Sequence, residues 1–215
     1  MNVNVFRAWI TSAAEVIQAN RDHLTQLDAA IGDADHGANM ARGFAAVLAA
    51  LDAKPAATPG AVLILTGSTL VSKVGGASGP LYGTAFRRAG QALGDAVVVD
   101  LPLLGQAVEA ALAGVRQLGA AQEGDKTMVD ALAPAARAFT KAVTEGAAQA
   151  DGVSAAAMAA AEGAAATVSM QARKGRASYL GPRSVGHEDP GAASTALILA
   201  ALRDAAAQDT NAGAL

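Results

Sequence analysis

The sequence predicts an all-α protein, and three observations carry that prediction. Apolar residues recur every third or fourth position through most of the chain of 215 residues, the spacing that lines one face of an α-helix. The apolar content of 52% rests largely on alanine, and aromatic residues make up only 3%. That composition suits helices packed closely through small side chains and is poor in the β-branched and aromatic residues a β-sandwich needs. Glycine-rich stretches separate the periodic segments, as loops between helices would.

The first helix is expected over residues 5–28, where Phe6, Trp9, Ile10, Ala13, Val16, Ile17, Leu24 and Leu27 fall at helical spacing and Gly32 follows as a stop. A second helix begins near residue 38 and runs to about 51, ahead of the breaker KPAATPG at 54–60. Residues 61–74 contain VLIL, which suits a buried strand; Val62, Leu65, Thr69 and Leu70 also fit a helix, and we read it as one. After the loop GGASGP a helix is expected over 81–93, then an amphipathic one over 101–118. Residues 128–145 follow, with Pro134 in the first turn or at a kink. Ser154 has the chemistry of an N-cap for a helix reaching about residue 170. Asp189 as N-cap and Pro190 as first helical residue open the last helix, which runs to about 207. This gives about eight helices in one domain over 1–208, with 209–215 a frayed polar tail and no repeat of fixed period.

Charge and composition narrow the function classes. A net charge of −3 with no basic stripe argues against nucleic acid as a partner. The absence of cysteine excludes disulfides and thiolate metal sites and fits a cytoplasmic location. The start MNVNVFRAWI does not read as a signal peptide, and no run of about 20 apolar residues suggests a membrane span.

Four loops carry unusual chemistry. The first, LDAAIGDADHGANM, places Asp28, Asp33 and Asp35 within eight residues. Carboxylates this close repel one another unless a cation sits between them, and magnesium, which takes oxygen ligands and bridges carboxylates to phosphates, would serve. Gly32 and Gly37 permit a tight turn around it, and Asn39 offers a side-chain oxygen at a helix start that favours anions. A capping turn rich in Asp and Gly is the plain alternative; the twelve-residue EF-hand pattern is absent. In the second loop, SKVGGASGPLYG, the amides of Gly75, Gly76 and Gly79 and the Ser78 hydroxyl suit phosphate oxygens, or simply form a tight helix–helix turn. No Gly-Lys-Ser/Thr follows, so it is not a P-loop. In the third, EGDKTMVDAL, Met128 either presses on a flat base or belongs to the core. The fourth, residues 172–195, gathers Arg173, Lys174, Arg176 and Arg183 from a chain with 16 basic residues. A basic loop of that length is either functional or a solvated surface whose arginines pair with acids; Arg176 has the chemistry to stabilise a transferring phosphoryl group. If the helices run up and down, the loops near residues 34, 78, 125 and 182 fall at one end of the bundle.

The runs IGDADHGANMARGF, VGGASGPLYGTAF, GDKTMVDA and MQARKGRASYLGPRSVGHEDPGA closely resemble those of the L subunits of dihydroxyacetone kinases, in the same order and over nearly the whole chain. The resemblance implies a closed barrel of about eight antiparallel helices with the nucleotide at one end. It implies that Asp28, Asp33 and Asp35 hold two magnesium ions bridging the phosphates of ADP or ATP, and that His36, Gly37, Ala38 and Asn39 lie beside the nucleotide. It places Ala77 and Ser78 at the phosphates, Gly119 and Met128 near the adenine, Arg176 as the catalytic basic residue, and Asp189, Pro190 and Gly191 in a closing loop. It also implies partners: a K subunit (DhaK) that holds dihydroxyacetone covalently through a histidine, a phosphotransferase-system phosphocarrier subunit (DhaM) that rephosphorylates bound ADP in place, and a homodimer as a further arrangement. Of the chain's three histidines, His23, His36 and His187, none reads as a covalent substrate carrier, so no kinase activity is expected from the chain alone. The alternatives are an ATP-dependent kinase of another short keto-sugar, against which the chain's stand-alone length leans, a nucleotide-loaded regulatory module, and a magnesium-dependent phosphatase.

Overall fold

The alanine-rich periodic segments fold into nine α-helices in the computed structural model, which describes the backbone of residues 1–212 and side chains through Asp209. They are α1 (Val3–Ala19), α2 (Arg21–Ile31), α3 (His36–Ala53), α4 (Pro59–Lys73), α5 (Ser78–Leu93), α6 (Leu101–Gly119), α7 (Val129–Thr144), α8 (Gln149–Ala166) and α9 (Pro190–Ala212). Short 3-10 segments, Thr167–Ser169 and Arg176–Ser184, lie between α8 and α9, and there is no strand among the described residues. No described helix is long and apolar enough to cross a membrane.

Eight of these helices close a ring. From α3 onward each packs against the next, and α1 joins α9 to α3; α2 stands outside the order, packed on α3 and touching α9. Trp9 closes the seam: its indole N–H donates to the Ile198 carbonyl at 2.9 Å, and its ring sits 5.7 Å from Phe6 and 5.8 Å from Phe86. Phe6, Ile10, Phe44, Leu70 and Phe139 fill the interior, fully buried. Successive connections therefore fall at opposite ends, and alternate ones gather at the same end. At one end the Met1 ammonium and the Gln149 side chain both donate to the Val99 carbonyl, which joins the N-terminus, the α5–α6 link and the start of α8.

The segment containing VLIL is helical because of what it faces. In α4, Gly67 approaches α5 so closely that a Cβ there would lie 2.5 Å from the Gly83 carbonyl oxygen, and a Cβ on Gly83 would lie 2.7 Å from that of Gly67. Two helices can meet at that distance only through a bare backbone, and the strand alternative ignores this pairing.

Three expectations are corrected. The predicted helix 5–28 is two helices, because the backbone amide and side-chain amide of Asn20 both donate to the Val16 carbonyl, at 3.0 and 2.8 Å; such local side-chain bonding competes with helix continuation. Ser154 is not an N-cap but lies inside α8, which starts at Gln149. Tertiary contact sets that start: the Gln149 side chain binds the Val99 carbonyl, and Gly152 packs on Leu101. The last helix reaches Ala212 rather than about 207; residues 213–215 of the expected tail lie outside the described residues.

Pro134 sits inside α7, past its first turn. It has no amide to offer the Asp130 carbonyl, and α8 covers that oxygen with Gly163, where a Cβ would lie 2.1 Å from it. Alanine for glycine in a helix ordinarily stabilises by about 1 kcal/mol. Here Gly163→Ala should instead destabilise by about 1–3 kcal/mol through overpacking against backbone, read as a lowered urea midpoint with an unchanged slope; a gain in stability would refute the close contact.

Candidate functional site

The carboxylate trio is built by the turn between α2 and α3. Gly32 caps α2, and a Cβ there would lie 2.0 Å from Asp28 Oδ1, so only glycine leaves room for that carboxylate. Asp28 is buried, and its Oδ2 accepts the amides of Asp35 at 2.8 Å and His36 at 3.1 Å. It thus satisfies the first free amides of α3. Ala34 takes a left-handed backbone, φ 62°, and the turn brings one carboxylate oxygen each from Asp28, Asp33 and Asp35 within 4.8 Å of one another. Asp33 and Asp35 are exposed. An all-oxygen donor set of three negative charges, one oriented by two amides and two open, fits a hard divalent cation. Arg176 Nε lies 3.0 Å from Asp33 Oδ2, so the first and fourth loops meet.

These acids and the start of α5 line one cavity of about 380 Å³, a volume typical of small-molecule sites. Ala77 is the N-cap and gives no side-chain cap bond, which leaves the first amides of α5 available to an anion. Gly76, φ 64°, makes the turn into it. Ser78 Oγ is 3.1 Å from His36 Nδ1, and His36 Nε2 is 2.8 Å from Ser194 Oγ. Burial lowers the His36 pKa against the pull of Asp28 and Asp35. Beyond Ser194 the network reaches Tyr82, whose hydroxyl lies 2.7 Å from Ser194 Oγ and 2.9 Å from Thr195 Oγ1 and donates to the Gly191 carbonyl at 2.8 Å. These bonds stitch α3, α5 and α9 together behind the cavity. Leu81, Val115, Gly119, Ala121 and Met128 add apolar lining to the same cavity. Met128 is both buried core and cavity wall.

Asp189 and Pro190 open α9 as expected: Asp189 Oδ2 accepts the Ala192 amide at 2.8 Å, and the Asp189 amide donates to Thr167 Oγ1 at 2.9 Å. Twelve of the fifteen anticipated site residues line the cavity: Asp28, Asp33, Asp35, His36, Ala77, Ser78, Gly119, Met128, Arg176, Asp189, Pro190 and Gly191. Gly37, Ala38 and Asn39 do not. They follow His36 in α3, where Gly37 presses on the Arg21 carbonyl and Asn39, whose Oδ1 accepts from Arg42 at 2.6 Å, lies against Gly75 of the cavity wall. Sequence reasoning missed Tyr82, Ser194 and Thr195, which look like ordinary small or core residues, and Lys126. That lysine is 1% exposed and donates to three main-chain carbonyls; in the sequence it is one more charged loop residue.

Burial pushes the Asp189 carboxyl up to about 7, and Asp130 adds to the rise, whereas an unfolded Asp titrates near 3.9. Between those values the native state binds a proton the unfolded state does not, so this group's contribution to stability falls as pH rises through the window and levels off above 7. His36 contributes with the opposite sign, so the test is a difference. In the nucleotide-free protein, Asp189→Asn should gain stability relative to wild type as pH climbs from 4 to 7; urea denaturation showing a pH-independent difference would contradict it.

Residues 30–204 match the family model described as the DAK2 domain. The chain is 43% identical over 198 residues to the ADP-binding subunit DhaL of the PEP-dependent dihydroxyacetone kinase of Escherichia coli (strain K12), covering 92% of this chain and 94% of that protein. It is 40% identical over 190 residues to an L-erythrulose 1-kinase of Mycolicibacterium smegmatis, covering 87% of this chain and 33% of that protein. The crystal structure of the dihydroxyacetone kinase from C. freundii in complex with AMP-PNP and Mg2+ superposes with a TM-score of 0.68 at 30% identity, covering 95% of this chain. The chain spans about a third (34%) of that crystallised kinase's length. With matching helical architecture and a family model covering most of its length, the chain belongs to the DAK2-domain family, alongside the ADP-binding DhaL subunits of dihydroxyacetone kinases.

Proposed function

We propose that this protein is the nucleotide-holding subunit of a dihydroxyacetone kinase, presenting the terminal phosphate of a magnesium-bound nucleotide to dihydroxyacetone carried by a separate K subunit (DhaK). The observation that carries the reading is the juxtaposition across one cavity of three converging carboxylates and the uncapped N-terminus of α5. The names of its relatives support it, and so does the AMP-PNP and Mg2+ held by the C. freundii kinase.

Phosphoryl transfer asks a protein for positioning and charge neutralisation more than for a nucleophile. Asp28, Asp33 and Asp35 would hold magnesium, two ions in our reading, which when bound offsets phosphate charge. The α5 amides and Ser78 face the phosphate end. Leu81, Gly119 and Met128 offer an apolar wall to the base, and Asp189, Pro190 and Gly191 flank it. Arg176, which lies beside Asp33, would meet charge developing on the transferring group. Both ring nitrogens of His36 are engaged by hydroxyls, so His36 is not free to carry substrate; on this reading the K subunit carries it.

On this reading ADP stays bound and is rephosphorylated in place by a phosphocarrier subunit (DhaM). The identities to erythrulose kinases, 40%, 36% and 35%, favour as a second reading an ATP-dependent kinase of another short keto-sugar. Dialysis separates the two: retained ADP supports the phosphocarrier route, and rapid exchange supports free ATP.

Asp33→Ala should weaken Mg-ADP binding at least about tenfold in calorimetry, since loss of outer-sphere groups alone costs that much at metal sites; unchanged magnesium-dependent affinity would sink the assignment. Arg176→Ala should lower turnover with the K subunit by about 10²–10³ while sparing ADP affinity. Equal losses in both would give Arg176 a ground-state role instead.

A further inference from the structure

Lys126 is the one lysine or arginine buried among the described residues. Its ammonium donates to the carbonyls of Thr167 at 2.7 Å, Met170 at 3.2 Å and His187. An ammonium has three protons, and these three acceptors use them all. A rigid turn aims the side chain inward. Asp130 accepts the amides of Gly124 at 2.5 Å and Thr127 at 2.8 Å, Asp125 accepts that of Gln122 at 2.9 Å, and Lys126 itself holds φ 61°, a conformation that a residue with a side chain keeps only when its surroundings impose it.

The positions of the three acceptors give the lysine its role. Thr167 and Met170 lie where the chain leaves α8, and His187 lies just before the Asp189 cap of α9. Between them runs the basic excursion that bears Arg176. One ammonium therefore binds both ends of that loop, the neck of an Ω-shaped excursion. The Gly186 amide closes the neck onto the Val168 carbonyl at 2.8 Å, the Ala172 amide donates to Ser184 Oγ at 2.8 Å, and the Arg173 amide reaches back to the Asp125 carbonyl at 3.0 Å.

We infer that Lys126 is a positioning residue: by tying both ends of the basic loop to the α6–α7 turn, it sets where the Arg176 guanidinium meets the carboxylate trio. The step from loop position to phosphoryl transfer rests on the function proposed above; the neck itself does not. Arginine is no substitute, because its planar fork cannot serve three carbonyls converging on a single atom.

Two measurements test this. In the nucleotide-free protein, Lys126→Met should speed exchange of the Ala172, Arg173 and Gly186 amides by about tenfold or more while the helix amides of α1–α9 stay protected. Unchanged loop protection, or an equal loss throughout the helices, overturns the inference. Should Lys126→Met not fold, Lys126→Arg takes its place, against Lys126→Cys alkylated with 2-bromoethylamine in the unfolded state and refolded. The chain has no other cysteine, and this product returns an ammonium at nearly the original reach; it should restore loop protection where arginine does not, and failure to do so also overturns the inference. In transfer assays with the K subunit, Lys126→Met should lower kcat about tenfold in the presence of Arg176 but no more than about twofold in an Arg176→Ala background; independent, multiplying losses refute action through Arg176. If the wild type transfers phosphate to no short keto-sugar, the kinase reading fails, and the exchange experiment still decides the neck.

Discussion

Closure of the helical ring is the constraint on which everything else depends. Once α9 packs back onto α1, with the Trp9 indole bound to the Ile198 carbonyl, eight helices joined in sequence must place alternate connections at the same end. The turn before α3, the start of α5, the start of α7 and the long loop before α9 then face one another around a single cavity. No one of these segments makes a site. The ring converts four separated stretches of sequence into one wall.

Within that wall, charge is laid out by backbone more than by side-chain reach. Asp28 is oriented by two amides of α3, and the space its carboxylate fills exists because residue 32 has no Cβ. The start of α5 owes its free amides to an N-cap, Ala77, that offers no side-chain bond. Negative charge and anion-seeking amides that line one cavity are together complementary to a metal–phosphate ligand. The His36, Ser194 and Tyr82 network, fully enclosed, fixes the three helices that present these groups.

The long loop completes the site from outside the ring. A surface ion pair such as Arg176 with Asp33 is worth little by itself in water, so it cannot be what holds the loop in place. The buried bonds of Lys126 at the neck, and of Asp125 to Arg173, are better placed to do so, since polar groups removed from water keep their partners.

The amino-acid sequence by itself determined the all-α class, the identity of most helices, the Asp189–Pro190 start of α9 and the residues of the acidic and basic loops. Each of these is written locally, in period, in cap chemistry or in charge density. Only the tertiary structure decided the break at Asn20 and the early start of α8, because competing hydrogen bonds and a distant carbonyl set them. It also decided that Gly37, Ala38 and Asn39 are not among the residues that line the cavity, while Tyr82 and Lys126 are, with Ser194 behind them. Which way a side chain points from a helix, and which carbonyls gather around a buried ammonium, follow from where the ring closes, and no local stretch of sequence contains that information.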